Sequence, residues 1–367
     1  MRADPLIAVQ CIVCGGYTFE VICPATDVLR HLEYLRRFHR RRLRPTPNGE
    51  APRDALTDRA DFTQDYATDI VACTDCGLVF RNPRPTTQDI DRAYMQDHYG
   101  ASRLAALFDA QLELYRPKAR FLCRWLPRRQ YVRIVEVGSF VGGFLAAGQE
   151  YGWNMLGVDP GVEVNNFCQK RGLPVYQGTL AELELEERSV DCIAIWNTFD
   201  QLPNPEPTLA AACRVLRPGG LLVLRVPNGD CFRSAVAWMR KLPRLLAGWL
   251  RMTLAWNNLL AFPYLHGYSV RTLDALLRHY GFARIGTQPD TLPRLSDAQT
   301  KSWAAQEERV LKGLCVLTAR VDALRPTSSL QFAPWFDVCY RQSLQPASTH
   351  ARRFQVSLPL PLLPAVA

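Results

Sequence analysis

Residues 132–144, VRIVEVGSFVGGF, constrain the fold more than any other stretch of the chain. Val132, Ile134, Val135 and Val137 form a β-branched apolar run around Glu136, and the run ends at Gly138. Glycines return at 142 and 143, and Phe144 opens a new apolar pattern. A buried strand that stops in a glycine turn ahead of a helix is how an open α/β sheet makes a nucleotide pocket. Glycine lets the backbone approach the ligand, and the pocket lies beyond the carboxyl ends of the strands.

Downstream, apolar runs and helical periods alternate. Strands are expected over 131–137, 153–158, 174–177, 190–196 and 221–226, with helices over 142–151, 162–171 and 206–216 between them. A helix over 270–280 stops at Gly281 as at a C-cap. Two last strands, 284–286 and 314–321, read as a hairpin at the sheet edge. Ahead of the sheet, 86–99 and 103–126 read as helices, the second interrupted at Pro117. The fold class expected is α/β, with a doubly wound, Rossmann-like, seven-stranded and mostly parallel sheet.

A different signal occupies the front. Cys11-Ile-Val-Cys14-Gly15 and Cys73-Thr-Asp-Cys76-Gly77 each place two thiols in a tight turn followed by glycine. Two such knuckles supply four ligands for a closed tetrahedral site, so Cys11, Cys14, Cys73 and Cys76 are expected to hold structural Zn²⁺. A redox role would explain one pair but not both. Cys23 is either a spare ligand or a buried thiol. The long separation of the pairs implies an insertion, and 29–43 within it, LRHLEYLRRFHRRRL, has helical apolar spacing with arginines from 36 to 44 around it. That helix is either an RNA-binding face or a solvated basic face; the second is favoured. Residues 45–60 read as loop.

The organisation expected is a zinc-binding module over 1–100, a sheet domain over 101–325 and a C-terminal extension over 326–367. Residues 230–265 interrupt the alternation. Trp238, Trp249 and Trp256 stand there among arginines. The stretch reads as a lid over the pocket, with peripheral membrane contact through 234–261 as the alternative.

Of the 367 residues, 48% are hydrophobic and 22% charged, which suits a chain that buries a full core. A net charge of +9 favours an anionic partner without choosing one. The chain lacks an apolar run of membrane-spanning length and a signal-peptide core. Its 12 cysteines are too sparse for a disulfide scaffold, so a reducing, cytoplasmic setting is expected.

A dinucleotide fingerprint needs glycine at its first, third and sixth positions, and here these are Gly138, Phe140 and Gly143. The middle glycine, which admits a pyrophosphate, is absent, and this disfavours NAD. Asp159 stands where a carboxylate at the end of the second strand would accept the ribose hydroxyls. The series EVGSFVGG, GVDP, DCIAIWNTFDQLPNP, RVLRPGGLLVLRVPN and PYLHGYSVRTLDALLRHYGF resembles the class I S-adenosylmethionine-dependent methyltransferases. The CxxCG and CxxCGLVFRNPRP front end is similar to a subgroup with an N-terminal zinc-binding domain, which includes enzymes that methylate nucleotide-linked sugars.

That resemblance implies a cofactor site. Glu136, Gly138, Ser139, Gly142 and Gly143 would line the cofactor loop near the methionine part, and Asp159 would hold the ribose. Gly178 and Thr179 would lie beside the adenine, where relatives carry an acidic residue, with Asn197 and Phe199 under the sulfonium. Asp200-Gln201 replaces the Glu-His frequent in relatives. For a general base His266 comes first, since it follows the expected lid and precedes a capped helix, with Tyr268, Asp200, Tyr264 and His98 as further candidates. The partner implied is a small-molecule methyl acceptor. An RNA methyltransferase, with nucleic acid bound through the front module, and a non-catalytic cofactor-binding scaffold are the alternatives.

Overall fold

The computed structural model describes residues 6–45, 66–96, 99–127, 131–294, 299–324 and 330–343. A four-stranded antiparallel sheet packs against a seven-stranded sheet. The small sheet runs β1 (Phe19–Cys23), β2 (Ile70–Cys73), β3 (Val79–Arg81) and β9 (His266–Gly267). Helix α1 (Ala25–Arg42) lies between β1 and β2. Helices α2 (Thr87–Gln96) and α3 (Ala101–Leu122) lead into the large sheet.

The large sheet contains β4 (Arg133–Val137), β5 (Asn154–Asp159), β6 (Val175–Gln177), β7 (Val190–Trp196), β8 (Leu216–Pro227), β10 (Phe282–Asp290) and β11 (Trp335–Gln342). Their spatial order is β10-β11-β8-β7-β4-β5-β6. β11 runs antiparallel to both neighbours, and the pairings from β8 to β6 are parallel. Helices α4 (Gly143–Gln149), α5 (Val162–Lys170) and α6 (Glu206–Val215) make the crossovers. Every residue of β7 is buried, as expected of a central strand covered on both faces. The strand order reverses between β4 and β7, the position at which such sheets open a crevice for ligand.

Three expectations need correction. Residues 314–321 are not a strand; they lie in α10 (Ser302–Ala323), where Val310, Leu314, Leu317 and Val321 recur at spacings of three and four. The strand that pairs with β10 is β11, inside the stretch assigned to a C-terminal extension, and it inserts between β10 and β8. Pro117 does not interrupt α3, which runs through it as one helix.

The insertion after β8 forms α7 (Gly229–Lys241) and α8 (Arg244–Trp256), divided at Pro243. Asn228 caps α7 by accepting from the amides of Asp230 and Cys231, while its own amide donates to the carbonyls of Leu330 and Ala333. The basic helix buries Val28, Leu32, Leu35 and Phe38 against Trp256 and its neighbours in α8. One face of that helix packs, Arg36, Arg37, Arg40 and Arg41 stay exposed around it, and Arg42 is buried and paired with Glu307. Next, α9 (Val270–Arg278) starts with a reciprocal cap between Ser269 and Thr272.

The two sheets share one core. Cys11, Val71, Leu78 and Phe80 of the front module cluster with Val135, Ile193, Leu224 and Leu273. Val79 and Phe80 of β3 pair with Gly267 and His266 of β9. Arg81 is fully buried and donates to the carbonyls of Phe262, Ala261 and Tyr66 at 2.8, 2.9 and 2.9 Å. Its charge is thus solvated by backbone carbonyls, two of them from the segment that follows α8. Among the described residues no helix is long and apolar enough to cross a membrane.

Candidate active site and metal cluster

The turn after β4 lies where the strand order reverses. Gly138 and Gly142 have φ of +75° and +78°, which glycine adopts without strain. The Gly138 amide donates to Val158 of β5 at 2.8 Å. A Cβ on Gly138 would come within 2.1 Å of Thr198 Oγ1, so the turn is pressed against the end of β7. Phe140 also has a left-handed φ of +47°, a conformation uncommon for a residue other than glycine. Its ring stands edge-on to Tyr99 with centroids 5.0 Å apart. Gly143 abuts α3, where a Cβ would lie 2.4 Å from Gln111 Cβ.

Asp159 closes this turn. One carboxylate oxygen accepts from the Phe140 amide and the other from the Gly161 amide, both at 2.9 Å. A carboxylate offers two oxygens, the acceptors that a pair of ribose hydroxyls requires. Glu136 Oε2 and Ser139 Oγ are buried without a hydrogen-bond partner. Burial, then the charge of Asp159, pushes the Glu136 carboxyl well above its usual range. An ammonium group beside it would restore the carboxylate. The residues present therefore fit S-adenosylmethionine: diol acceptors at Asp159 and two orphaned polar atoms for an amino acid.

Across the crevice, Gly178 donates its amide to the Asp159 carbonyl at 3.0 Å. Thr179 donates through N and Oγ1 to Glu182 at 2.7 and 3.0 Å, so an acidic group stands beside Thr179 after all, three residues along. Asn197 ends β7 with φ +55°; its Oδ1 accepts from Arg225 and its Nδ2 reaches Tyr115 Oη at 3.5 Å. Phe199 is fully buried against Tyr268 in the shared core, with centroids 5.2 Å apart.

Tyr268 stands beside His266, with ring centroids 5.9 Å apart, and close to Asp200, and Arg84 bonds His266. Arg84 donates to His266 Nε2 at 2.9 Å and to the Pro203 carbonyl at 2.8 Å. Because arginine only donates, Nε2 accepts, and the neutral ring carries its proton on Nδ1. Burial first, then Arg84, pushes the His266 pKa well below its ordinary value. Its one basic nitrogen therefore faces a cation. Burial pushes the Asp200 carboxyl up to about 7. Its Oδ2 accepts from Gln201 at 2.9 Å and its Oδ1 is free of protein partners. The Tyr268 hydroxyl is likewise unpartnered, and burial, then Asp200, raises its pKa. Tyr264 packs instead between Phe262 and Trp335, and His98 lies outside the described residues.

Sequence reasoning missed the charges behind Asn197. Arg225 donates to Asp290 at 2.9 Å and to the Thr291 carbonyl at 2.9 Å. Lys118 donates to Asp290 at 2.7 Å and to Asp337 at 2.5 Å. Burial alone would raise the Asp290 carboxyl, but Arg225 and Lys118 hold it below the usual range. The available signal was a charged residue inside an apolar strand: Arg225 in LLVLRVP and Asp337 in WFDVCY.

The four predicted cysteines converge. Cys11 and Cys76 lie Sγ to Sγ at 3.4 Å, as do Cys14 and Cys73, and all four sulfurs fall within 4.8 Å of one another. A zinc tetrathiolate with bonds of about 2.3 Å has sulfur–sulfur edges of about 3.8 Å, so the cluster fits the ion. Cys23 is not in the cluster; its sulfur faces His31 Nδ1 at 3.9 Å.

A family model described as a methyltransferase domain matches residues 97–285. Among curated proteins, the chain is 33% identical over 93 residues to an uncharacterised 37.1 kDa transposon-encoded protein of Streptomyces fradiae, covering 24% of this chain and 27% of that one. It is 26% identical over 126 residues to an uncharacterised protein of Methanocaldococcus jannaschii, covering 34% of this chain and 58% of that one. The chain thus spans 27% and 58% of the length of these two relatives. Among solved structures it is similar to an S-adenosylmethionine-dependent methyltransferase from Archaeoglobus fulgidus, at 16% identity and a TM-score of 0.41, covering 63% of this chain and 94% of that one. With the family model spanning more than half of the chain, over the sheet that carries the glycine turn and Asp159, this chain belongs to the methyltransferase-domain family.

Proposed function

We propose that the chain methylates a small molecule at a hydroxyl or an acidic carbon, with a nucleotide-linked sugar or another secondary metabolite as the acceptor class and Asp200 as the base. When bound, S-adenosylmethionine supplies a methyl carbon already activated by its sulfonium. The protein's task is then alignment and proton removal. Asp159 would hold the ribose, Glu136 and Ser139 the amino-acid end, and Thr179 with Glu182 the adenine side. Asn197, fixed by Arg225, would sit under the reacting carbon. Holding donor and acceptor in line supplies several kcal/mol.

The observation that carries this reading is the Asp200 carboxyl. It is buried, follows the carboxyl end of β7, is held up to about 7 and has one oxygen free. A base near the working pH suits proton removal better than a histidine whose basic nitrogen accepts from Arg84. Four thiolates around zinc would leave no open coordination position, so the metal would be structural.

Calorimetric titration with S-adenosylhomocysteine, with NAD as control, tests the donor site. Micromolar binding of the first alone is expected. Asp159→Ala should weaken it by about 10- to 150-fold, the equivalent of one charge-assisted hydrogen bond. Equal binding in the variant would remove Asp159 from the site.

A further inference from the structure

Helix α1 and the α7–α8 pair enclose a cavity of about 470 Å³ that shares no residue with the glycine turn or the cysteine cluster. We infer that this cavity binds a small phosphate-bearing molecule, held by Arg240 of α7 and Arg251 of α8 and covered by His31 and Tyr34 of α1.

Asp27, Arg30, Tyr34 and Arg37 follow one another at spacings of three and four, with His31 next to Arg30, so α1 turns a single stripe toward the cavity. The neighbouring stripe, with Val28, Leu32 and Leu35, packs into the core. At the rim the charges cancel. Arg30 bonds Asp27, and Arg37 lies 3.4 Å from Glu33, both arginines being well exposed.

On the α7 and α8 side they do not cancel. Arg240 uses one nitrogen on the Ile22 carbonyl at 2.7 Å, and Arg251 stands over the Tyr34 ring at 5.5 Å. Among the described residues neither has a carboxylate partner, and Arg251 Nε is buried with no hydrogen-bond partner. His31 adds no positive charge at neutral pH, because burial and then Arg251 lower its pKa. Arg251 is half-buried and Arg240 exposed beside it; neither guanidinium has a carboxylate to compensate its charge, and an anion with several oxygens supplies it through charge-assisted bonds. The planar fork of arginine matches phosphate in particular. Val236, Met239 and the Tyr34 ring form apolar wall beside the charges, room for an organic part of the ligand. Since the arginines come from two helices and the cover from a third, the ligand would fasten α1 to the α7–α8 pair.

The test is calorimetric titration of the full chain with pyrophosphate, and separately with uridine 5′-diphosphate and with uridine. Saturable binding of both anions is expected, weakening as salt is added. Arg251→Gln should lower the affinity at least tenfold and Arg240→Gln with Arg251→Gln further, while Arg251→Lys should retain part of it. Tighter binding of the nucleotide than of pyrophosphate would mark a nucleotide as the ligand; equal binding would mark phosphate alone. Melting temperatures of the variants, and undiminished binding of S-adenosylhomocysteine by them, show that the fold persists. Failure of the donor-site reading would appear as loss of S-adenosylhomocysteine binding in wild type and leaves this test intact. Silence toward both anions at millimolar concentration, unchanged affinity in the double variant, or uridine binding as well as its diphosphate would overturn the inference.

Discussion

At the scale of single residues, Asp200 and Arg225 make opposite uses of burial. Asp200 has no cation bonded to it, so burial keeps its carboxyl protonated until about pH 7. A group raised in the folded state contributes stability that is full below its unfolded pKa and lost as pH rises through the folded value. Asp200→Asn should therefore gain stability relative to wild type as pH rises from about 3.8 to about 7, as thermal melts across that window would show. The same variant should lose about 10²- to 10⁴-fold in kcat, together with the limb of the pH profile near 7. Retention of that limb would place the base elsewhere. Arg225, in contrast, keeps its charge because Asp290 and Asp337 lie beside it and Lys118 neutralises their excess. Removing one partner leaves an uncompensated buried charge. Lys118→Met should cost about 3–5 kcal/mol in denaturant unfolding.

At the scale of elements, legibility depended on whether a pattern had one physical cause. The β4 turn was legible because a β-branched run, a carboxylate and left-handed glycines all serve the same crevice. Residues 314–321 were misread because LCVLTARV, taken alone, is an apolar run that fits a strand as well as a helix. Only the spacing of Val310, Leu314, Leu317 and Val321 over three turns decides for the helix. β11 went unread for the opposite reason. Asp337 lies inside it, and a buried carboxylate looks like a break until Lys118 and Arg225, both distant in sequence, are placed against it. Arg84 was illegible as a member of the site because its role is to face His266, 182 residues away. The strand carries a consequence of its own. A chain ending before residue 330 would lose the neighbour of both β8 and β10 and expose two unpaired edges. It should aggregate on expression, which sedimentation of the lysate would reveal.

At the scale of the molecule, the cysteine cluster and the crevice stand on one core. Chelation, or Cys73→Ser, should therefore unfold or precipitate the protein rather than slow it, since binding of structural zinc is worth about 10–16 kcal/mol in small zinc domains. Circular dichroism with and without chelator checks this; a folded, soluble chain lacking only turnover would contradict it. The same joint reaches further. The last strand of the small sheet is His266–Gly267, and the buried Arg81 is solvated by carbonyls that follow α8. The front module is therefore no detachable cassette. A chimera that took residues 1–100 from a relative would have to bring the 229–268 segment from the same source, and in descent the two stretches should change together, each limiting what the other can become.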